Sequence, residues 1–291
     1  MKKMVLIWLV GAISLVSNAQ DRFSFWLGSG YNFDISPDFT GITNVTVFDS
    51  LTTVKSSEVY LGNGMTVGAG LEYKLKNGFS TGLVVEYFMG EKNYIEQTYQ
   101  DSASQSFKDS TYQYVFYASF TEVKPYVAFR HTVSNMHYAA GAGIVLGLGH
   151  VIRELTRLYP YKTYYEKYWY KGGVAAGMFV RFSVEYFIKP RLAFSGVVGA
   201  STLTYMPSKG ELVEAYEDGS KTVDVLDDKP LSERETEFVD SYDYIDGQID
   251  KDKPSKELRP YFNLNAFYFR LGLRFLLEAE TESAEKPTRK L

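Results

Sequence analysis

Residues 267 to 277 read Phe267-Tyr268-Phe269-Arg270-Leu271-Gly272-Leu273-Arg274-Phe275-Leu276-Leu277. Phe267, Phe269, Leu271, Leu273, Phe275 and Leu277 alternate with Tyr268, Arg270, Gly272, Arg274 and Leu276. Successive side chains of an extended strand point to opposite faces, so this spacing makes one apolar row and opposes it largely with small or charged groups. Residues 59 to 75 repeat the pattern, with Met65, Val67, Ala69, Leu71, Tyr73 and Leu75 against Thr66, Gly68, Gly70, Glu72 and Lys74. Between 170 and 187, Val174, Ala176, Met178, Val180, Phe182 and Val184 oppose Gly173, Ala175, Gly177, Phe179, Arg181, Ser183 and Glu185.

Working outward from these three, eight alternating segments emerge, at 22–33, 59–75, 79–90, 112–130, 137–151, 170–187, 191–205 and 261–277. Their connections take turns in length. Long ones (34–58, 91–111, 152–169, 206–260) alternate with short ones (76–78, 131–136, 188–190). Lys76-Asn77-Gly78 suits the positive backbone dihedrals of a tight turn, and Lys189-Pro190 fixes a bend. Tight turns at one end and large loops at the other are the plan of an outer-membrane barrel. A soluble sandwich would carry varied polar groups on its outer face, whereas here the minority face is glycine-rich with a few charges. The fold expected is all-β: a closed antiparallel up-and-down transmembrane β-barrel of eight strands with long extracellular loops. Ten strands is the alternative, because Val45, Val47, Leu51 and Val54 also alternate weakly and form either a hairpin above the membrane or two further staves.

The apolar rows then face lipid, and the opposite set faces a bore that eight strands make just wide enough for side chains to fill. That set contains Glu72, Lys74, Glu86, Glu122, Lys124, Arg130, Arg181, Glu185, Arg270 and Arg274. A structural lumen ion-pair network of Glu72, Glu86, Glu122, Lys124, Arg181, Glu185, Arg270 and Arg274 is expected, blocking open diffusion. Distance from the strand ends puts Glu86, Glu122, Arg181 and Arg270 near mid-depth, and Glu72, Lys124, Glu185 and Arg274 nearer the periplasm.

Residues 1–19 carry Lys2 and Lys3, an apolar run from Met4 to Val16, and Ser17-Asn18-Ala19 before Gln20. That is a basic start, a short apolar core and small residues at a cleavage site, the pattern of a secretory signal peptide. The expected division is therefore 1–19 signal peptide, 20–277 barrel including a long acidic extracellular loop at 206–260, and 278–291 a charged periplasmic tail. The location that follows is the outer membrane of a Gram-negative cell.

Composition removes several chemistries. The 291 residues include 24 Tyr, 20 Phe and no Cys, so disulfides, thiolate metal sites and a cysteine nucleophile are excluded. A net charge of -4 gives no basic field for nucleic acid. The three histidines, His131, His137 and His150, lack the Asp-x-His pair of omptin proteases and the His-x-Ser pair of lipid A deacylases. No catalytic residue, metal ligand or cofactor is therefore expected, and the protein reads as no enzyme. Residues 206–260 hold 16 Asp or Glu against 7 Lys or Arg before Arg259. Asp240, Asp243, Asp246 and Asp250 among them lack the carboxylate spacing of a calcium loop, and a solvated, mobile loop is the expectation. Connection 152–169 has the opposite character. Arg153, Arg157, Lys162 and Lys167 are interleaved with Tyr159, Tyr161, Tyr164, Tyr165, Tyr168 and Trp169, a pattern suited to phosphorylated sugars such as lipopolysaccharide. An interfacial aromatic girdle and pairing with the acidic loop are the competing readings.

The signal ending Asn18-Ala19-Gln20, the segment from Tyr138 through Gly141 and Gly143 to Gly147, the Lys189-Pro190 turn and the strand Phe267 to Leu277 together resemble the small outer-membrane β-barrel family. That family includes the OmpA transmembrane domain and OmpX. The likeness is closer to the porin-family barrel domain of Bacteroidetes, to which PorT also belongs. The resemblance implies the barrel and leaves activity open, because barrels of this kind differ in role. The 14 residues after Leu277 depart from barrels that end on an aromatic of the last strand, and they are too short for a peptidoglycan-binding domain. The reading of the sequence is a non-enzymatic barrel acting in structure or surface interaction through its loops. The alternatives are a PorT-like component of a secretion apparatus and a narrow ion or solute channel. Its expected partners are outer-membrane lipid and lipopolysaccharide, the barrel-insertion machinery during assembly, and a surface or secretion-apparatus protein; the chain is expected to be a monomer.

Overall fold

The computed structural model describes residues 23–36, 38–48, 51–99, 110–159, 162–218, 223–241 and 250–277. The expected signal peptide 1–19 and the expected periplasmic tail 278–291 lie outside them. Sixteen strands follow in chain order. They are β1 (Phe23–Asp34), β2 (Asp38–Phe48), β3 (Leu51–Val59), β4 (Gly64–Lys74), β5 (Phe79–Gly90), β6 (Asn93–Tyr99), β7 (Ser110–Val133) and β8 (Met136–Tyr159). After these come β9 (Lys162–Lys171), β10 (Ala175–Lys189), β11 (Leu192–Tyr205), β12 (Lys209–Tyr216), β13 (Glu235–Val239), β14 (Ser255–Leu258), β15 (Phe262–Asn263) and β16 (Ala266–Leu276). A single helical turn, α1 (Leu231–Arg234), precedes β13.

Eight of these strands close a ring. β1 pairs with β4, β4 with β5, β5 with β7, β7 with β8, β8 with β10, β10 with β11, β11 with β16, and β16 returns to β1, every pairing antiparallel. All eight predicted segments are staves of this ring. β2 and β3 pair only with each other, so they form the hairpin expected in the first connection and the count stays at eight. The tight turns lie at one end with the start of β1 and the end of β16. Asn77 and Gly78 take positive φ values of 60° and 79°, which is why Asn-Gly serves there.

The barrel is inside out by the standards of a water-soluble domain. Phe267 is 58% exposed and Met178 69%, whereas Arg270 and Arg274, on the opposite face of the strand that carries Phe267, are each 2% exposed. Leu27, Val67, Leu71, Leu83, Val85, Val127, Ile144, Leu146, Val180, Phe182 and Val198 continue the outward belt around the wall. A continuous apolar band of this extent is stable only against hydrocarbon, and closing the ring leaves no strand edge in lipid. The wall is knitted by rings seated on glycines of the neighbouring strand. A Cβ on Gly82 would lie 2.5 Å from Tyr126, and one on Gly199 would lie 2.4 Å from Tyr268, so both positions exclude any larger residue.

β7 and β8 are 24 residues each. A tilted strand needs about 9 to 11 residues to cross a bilayer, so more than half of each projects beyond it. The projecting part nucleates a sheet in the order β6-β7-β8-β9-β12-β13-β14. Here the structure departs from the sequence reading. Connection 152–169 is a β-hairpin, and the described part of 206–260 contributes β12, α1, β13 and β14 instead of a solvated loop. Its acidic character hid this, because Glu211, Glu214 and Glu217 of β12 and its end are paired with lysines of the adjacent strand β9.

Candidate functional site

Two places gather the chemistry-bearing residues: the bore and the extracellular sheet. Inside the bore the polar groups form two decks. In the deck nearer the tight turns, Arg274 donates to Glu72 (2.9 Å) and its Nε lies 3.0 Å from Glu185. Arg130 faces the same two carboxylates from the other side, with Nη1 to Glu185 Oε2 at 2.8 Å and Nη2 to Glu72 Oε1 at 2.5 Å. The four side chains thus close a ring of alternating charge drawn from β4, β16, β10 and β7. Tyr126 donates its hydroxyl to Glu72 at 2.6 Å, and Arg274 reaches Ser24 Oγ at 3.1 Å.

In the second deck, Lys124 Nζ bridges Glu86 (2.7 Å) and Glu122 (2.6 Å), and Arg270 Nε lies 3.1 Å from the other oxygen of Glu86. Arg270 also donates to Asn32 Oδ1 (2.6 Å) and to the Tyr31 carbonyl (3.1 Å). Three expectations need correction. Lys124, placed by its distance from the strand end with the periplasmic group, instead belongs to the mid-depth deck because its long side chain reaches along the bore to Glu86 and Glu122. Lys74 is exposed at the rim and is not part of the buried network. Arg181, expected to join the network, pairs with no carboxylate among the described residues; its guanidinium stacks on the Tyr126 ring, 4.7 Å from the centroid.

Beyond the decks, toward the long loops, the bore is filled by apolar side chains. Phe88, Phe116, Phe120, Val145, Val151, Leu203 and Tyr205 come from the wall; Val59, Leu61 and Leu264 come from β3 and from the approaches to β4 and β16. Ion pairs close one half of the lumen and an apolar plug closes the other. The plug was not legible in the pattern, because Leu61 and Leu264 lie at the ends of predicted segments and carry no periodicity of their own.

The plug is continuous with the extracellular sheet through a run of aromatic contacts. Phe120 meets Tyr205 (4.9 Å between ring centroids), Tyr205 meets Phe262 (6.4 Å), Phe262 meets Tyr170 (5.2 Å) and Tyr170 meets Phe238 of β13 (5.8 Å). Tyr205 also donates its hydroxyl to the Gly172 carbonyl (2.8 Å), which ties β11 to the turn after β9. At the rim the Asp34 carboxylate accepts from the backbone N–H groups of Gly62 and Ser36.

The four cations read as lipopolysaccharide contacts all have partners within this sheet. Arg157 pairs with Glu166 (2.9 Å), Lys167 with Glu214 (3.1 Å) and Lys162 with Glu217. Arg153 lies over Tyr168 (5.1 Å) and Tyr170 (5.9 Å). Lys171 adds a pair with Glu211, and Lys229 one with Glu166 (3.1 Å). The basic and acidic connections, for which mutual pairing is one of the competing readings beside a ligand patch, are therefore cross-strand partners on β9 and β12. Burial pushes the Tyr168 phenol up to about 12, against a weaker lowering by its hydrogen bond to Thr236. His150 stacks flat on Trp169 at 4.8 Å, and His137 lies against Phe187 at 4.5 Å with Nδ1 3.2 Å from Arg130. Ser119 stands opposite His150 across the β7–β8 pairing, with its Oγ 2.7 Å from the Tyr87 hydroxyl, and no group of three or more His, Cys, Asp or Glu among the described residues is placed to hold a metal ion.

No protein-family model matches the chain, and no curated protein matches it. Among solved structures it is similar to that of Acinetobacter baumannii CarO2, at 14% identity and a TM-score of 0.27 over 86% of this chain and 97% of that one. It is also similar to Acinetobacter baumannii CarO, at 15% identity and a TM-score of 0.27 over 72% and 92%. Likeness at that score carries no argument, and the assignment as a closed eight-stranded transmembrane barrel rests on the ring of strand pairings and the outward apolar belt.

Proposed function

We propose that this chain is a non-enzymatic outer-membrane barrel protein of the small OmpA and OmpX type, in which the closed barrel is an anchor and the extracellular sheet is the working surface. The observation that carries this reading is the length of β7 and β8, which run unbroken from a tight turn at one end of the barrel to the outer sheet. A sheet built on the barrel's own staves, and tied to the lumen plug by stacked rings, is held rigidly for contact with something outside the cell. A bore filled along its length gives transport no path, which sets the channel reading last.

The test has two parts. A heat-dependent gel shift of the unboiled protein, together with cleavage between residues 209 and 258 by protease added to intact cells, is the expected result. Deleting residues 210–255 should then abolish surface binding while the gel shift persists. An unchanged binding phenotype in a correctly inserted deletion would refute the reading.

A PorT-like role in a secretion apparatus is favoured by one feature, the exposure of Tyr94, Leu258 and Tyr261 on the outer part of the molecule, where a protein partner would dock. Co-purification of such a partner in mild detergent supports it, and a clean monomer counts against it. Lipopolysaccharide contact through Arg153, Arg157, Lys162 and Lys167 would compete with Glu166, Glu214, Glu217 and the tyrosine rings. It belongs to this proposal as a secondary contact.

A further inference from the structure

The charges inside the bore do not balance. Glu72, Glu86, Glu122 and Glu185 face Lys124, Arg130, Arg181, Arg270 and Arg274, five cations against four carboxylates. The ring of Glu72, Arg274, Glu185 and Arg130 is neutral by itself, and so is the set of Glu86, Glu122, Lys124 and Arg270. The surplus is Arg181. An arginine cannot shed its proton at any pH a protein survives, so the charge is permanent. Its side chain is half-buried in the bore, and a cation that gives up part of its water there without a charged partner costs free energy. The ring of Tyr126 offers one face of attraction, yet among the described residues no oxygen accepts from the guanidinium's N–H groups.

Arg181 borders a cavity of about 20 Å³ in the bore, which is lined also by Trp26, Lys124, Arg270, Glu86 and Tyr268. That space is large enough for one water-sized occupant. Trp26 lines the same space with its ring, while its Nε1, buried without a hydrogen-bond partner, lies against Gly272 of β16. A water would solvate the guanidinium but leave the surplus charge in place. A divalent anion would overshoot to a net negative interior, and a tetrahedral oxyanion is too bulky for the space.

We propose that Arg181 holds a single halide-sized monovalent anion, chloride under ordinary conditions, in the mid-barrel cavity, in exchange with the surrounding solution. The anion completes the neutrality of the lumen and is a structural component of the closed barrel.

The experiment is to fold and purify the protein in bromide in place of chloride and to collect diffraction data at the bromine edge. An anomalous peak in direct contact with the Arg181 guanidinium is expected, and Arg181→Gln should lose it while Arg181→Lys keeps density there. A cavity without anomalous density in the wild type, or a peak that survives in Arg181→Gln, overturns the proposal. A second reading does not depend on crystals or on the variant folding. The wild-type heat-shift midpoint should be higher in chloride than in gluconate at equal ionic strength, and equal midpoints overturn the proposal.

Discussion

Replacing Arg274 by Met removes one corner of the four-membered ion-pair ring without shortening the side chain much. Arg274 contacts Glu72 at 2.9 Å, Glu185 at 3.0 Å and Ser24 at 3.1 Å, so its loss touches three groups unequally. Glu72 keeps the Tyr126 hydroxyl and Arg130, whereas Glu185 keeps only Arg130. Two carboxylates then share one guanidinium in a bore surrounded by lipid, and the ring carries an uncompensated negative charge. Removing one partner of a buried ion pair costs about 3–5 kcal/mol, and that is the expected loss for Arg274→Met. Most of this figure is the stranded charge and little of it is the worth of the pair, a division that the second substitution tests. Glu185→Gln in the Arg274→Met background restores neutrality and leaves Glu72, Arg130 and Tyr126 in place. The double variant should recover to within about 1–2 kcal/mol of the wild type, so the two substitutions couple strongly where independent sites would add. Urea unfolding of the protein in lipid vesicles, followed by tryptophan fluorescence and by the gel shift, gives each free energy. If the double variant loses as much as the sum of the two single variants, the ring is not a closed charge-balanced unit and the reasoning fails.

Four further outcomes follow from other parts of the molecule. Gly199→Val should block assembly or cost several kcal/mol, because its branched side chain enters the Tyr268 ring; refolding yield in vesicles checks this, and a normal yield would place Tyr268 elsewhere. Val180→Arg, on the lipid face beside a residue that is already arginine, should cost about 2–4 kcal/mol by the same urea assay, since cations are penalised there by depth. Planar bilayers should stay electrically silent for the wild type and for Arg270→Ala, because the apolar plug persists when a charge of the second deck is removed. The outer sheet should loosen in alkali. The Tyr168 phenol ordinarily titrates at 10.0 and is held up to about 12 in the folded sheet, so it favours folding below pH 10 and that contribution is lost as pH climbs through 12. Proteolysis within 209–258 should accelerate over that window, and Tyr168→Phe should blunt the change.

Period-two alternation made the eight staves legible, because a wall with lipid on one side and packed side chains on the other forces the pattern on every residue that crosses the membrane. The same logic located Glu72, Glu86, Glu122, Glu185, Arg270 and Arg274 inside. It mis-set Lys124 by depth, since backbone register fixes where a Cα sits while a four-carbon stem decides where the charge ends up. It gave Arg181 a carboxylate partner because a charge census of one face carries no information on who reaches whom. Above the membrane the constraint lapses: β9 has polar, aromatic and charged residues on both faces, as does β12, and their pairing is encoded in complementary charges separated by some fifty residues. Lys162 with Glu217, Lys167 with Glu214 and Lys171 with Glu211 form a ladder only once the register is known.

That ladder bears on how the surface works. Among the described residues the sheet ends at β6 on one side and β14 on the other, and an uncovered edge invites pairing with any extended chain. β14 is short, joins β13 in parallel and carries Lys256 and Glu257 at exposed positions, features that discourage such addition. The ion pairs between β9 and β12 occupy Lys162, Lys167 and Lys171 in the same way, leaving these cations little free charge to attract a partner over distance. Recognition then has to rely on shape and on the exposed apolar side chains Tyr94, Leu258 and Tyr261, which are otherwise unfavourable on a part of the molecule surrounded by water. A surface of that kind selects by close fit. Binding through it should be nearly insensitive to ionic strength, whereas binding through the paired lysines and arginines should weaken steeply with added salt. Measuring affinity for any captured partner across a salt series therefore separates the two, and a steep salt dependence would move the working surface from those apolar residues to the β9–β12 ladder.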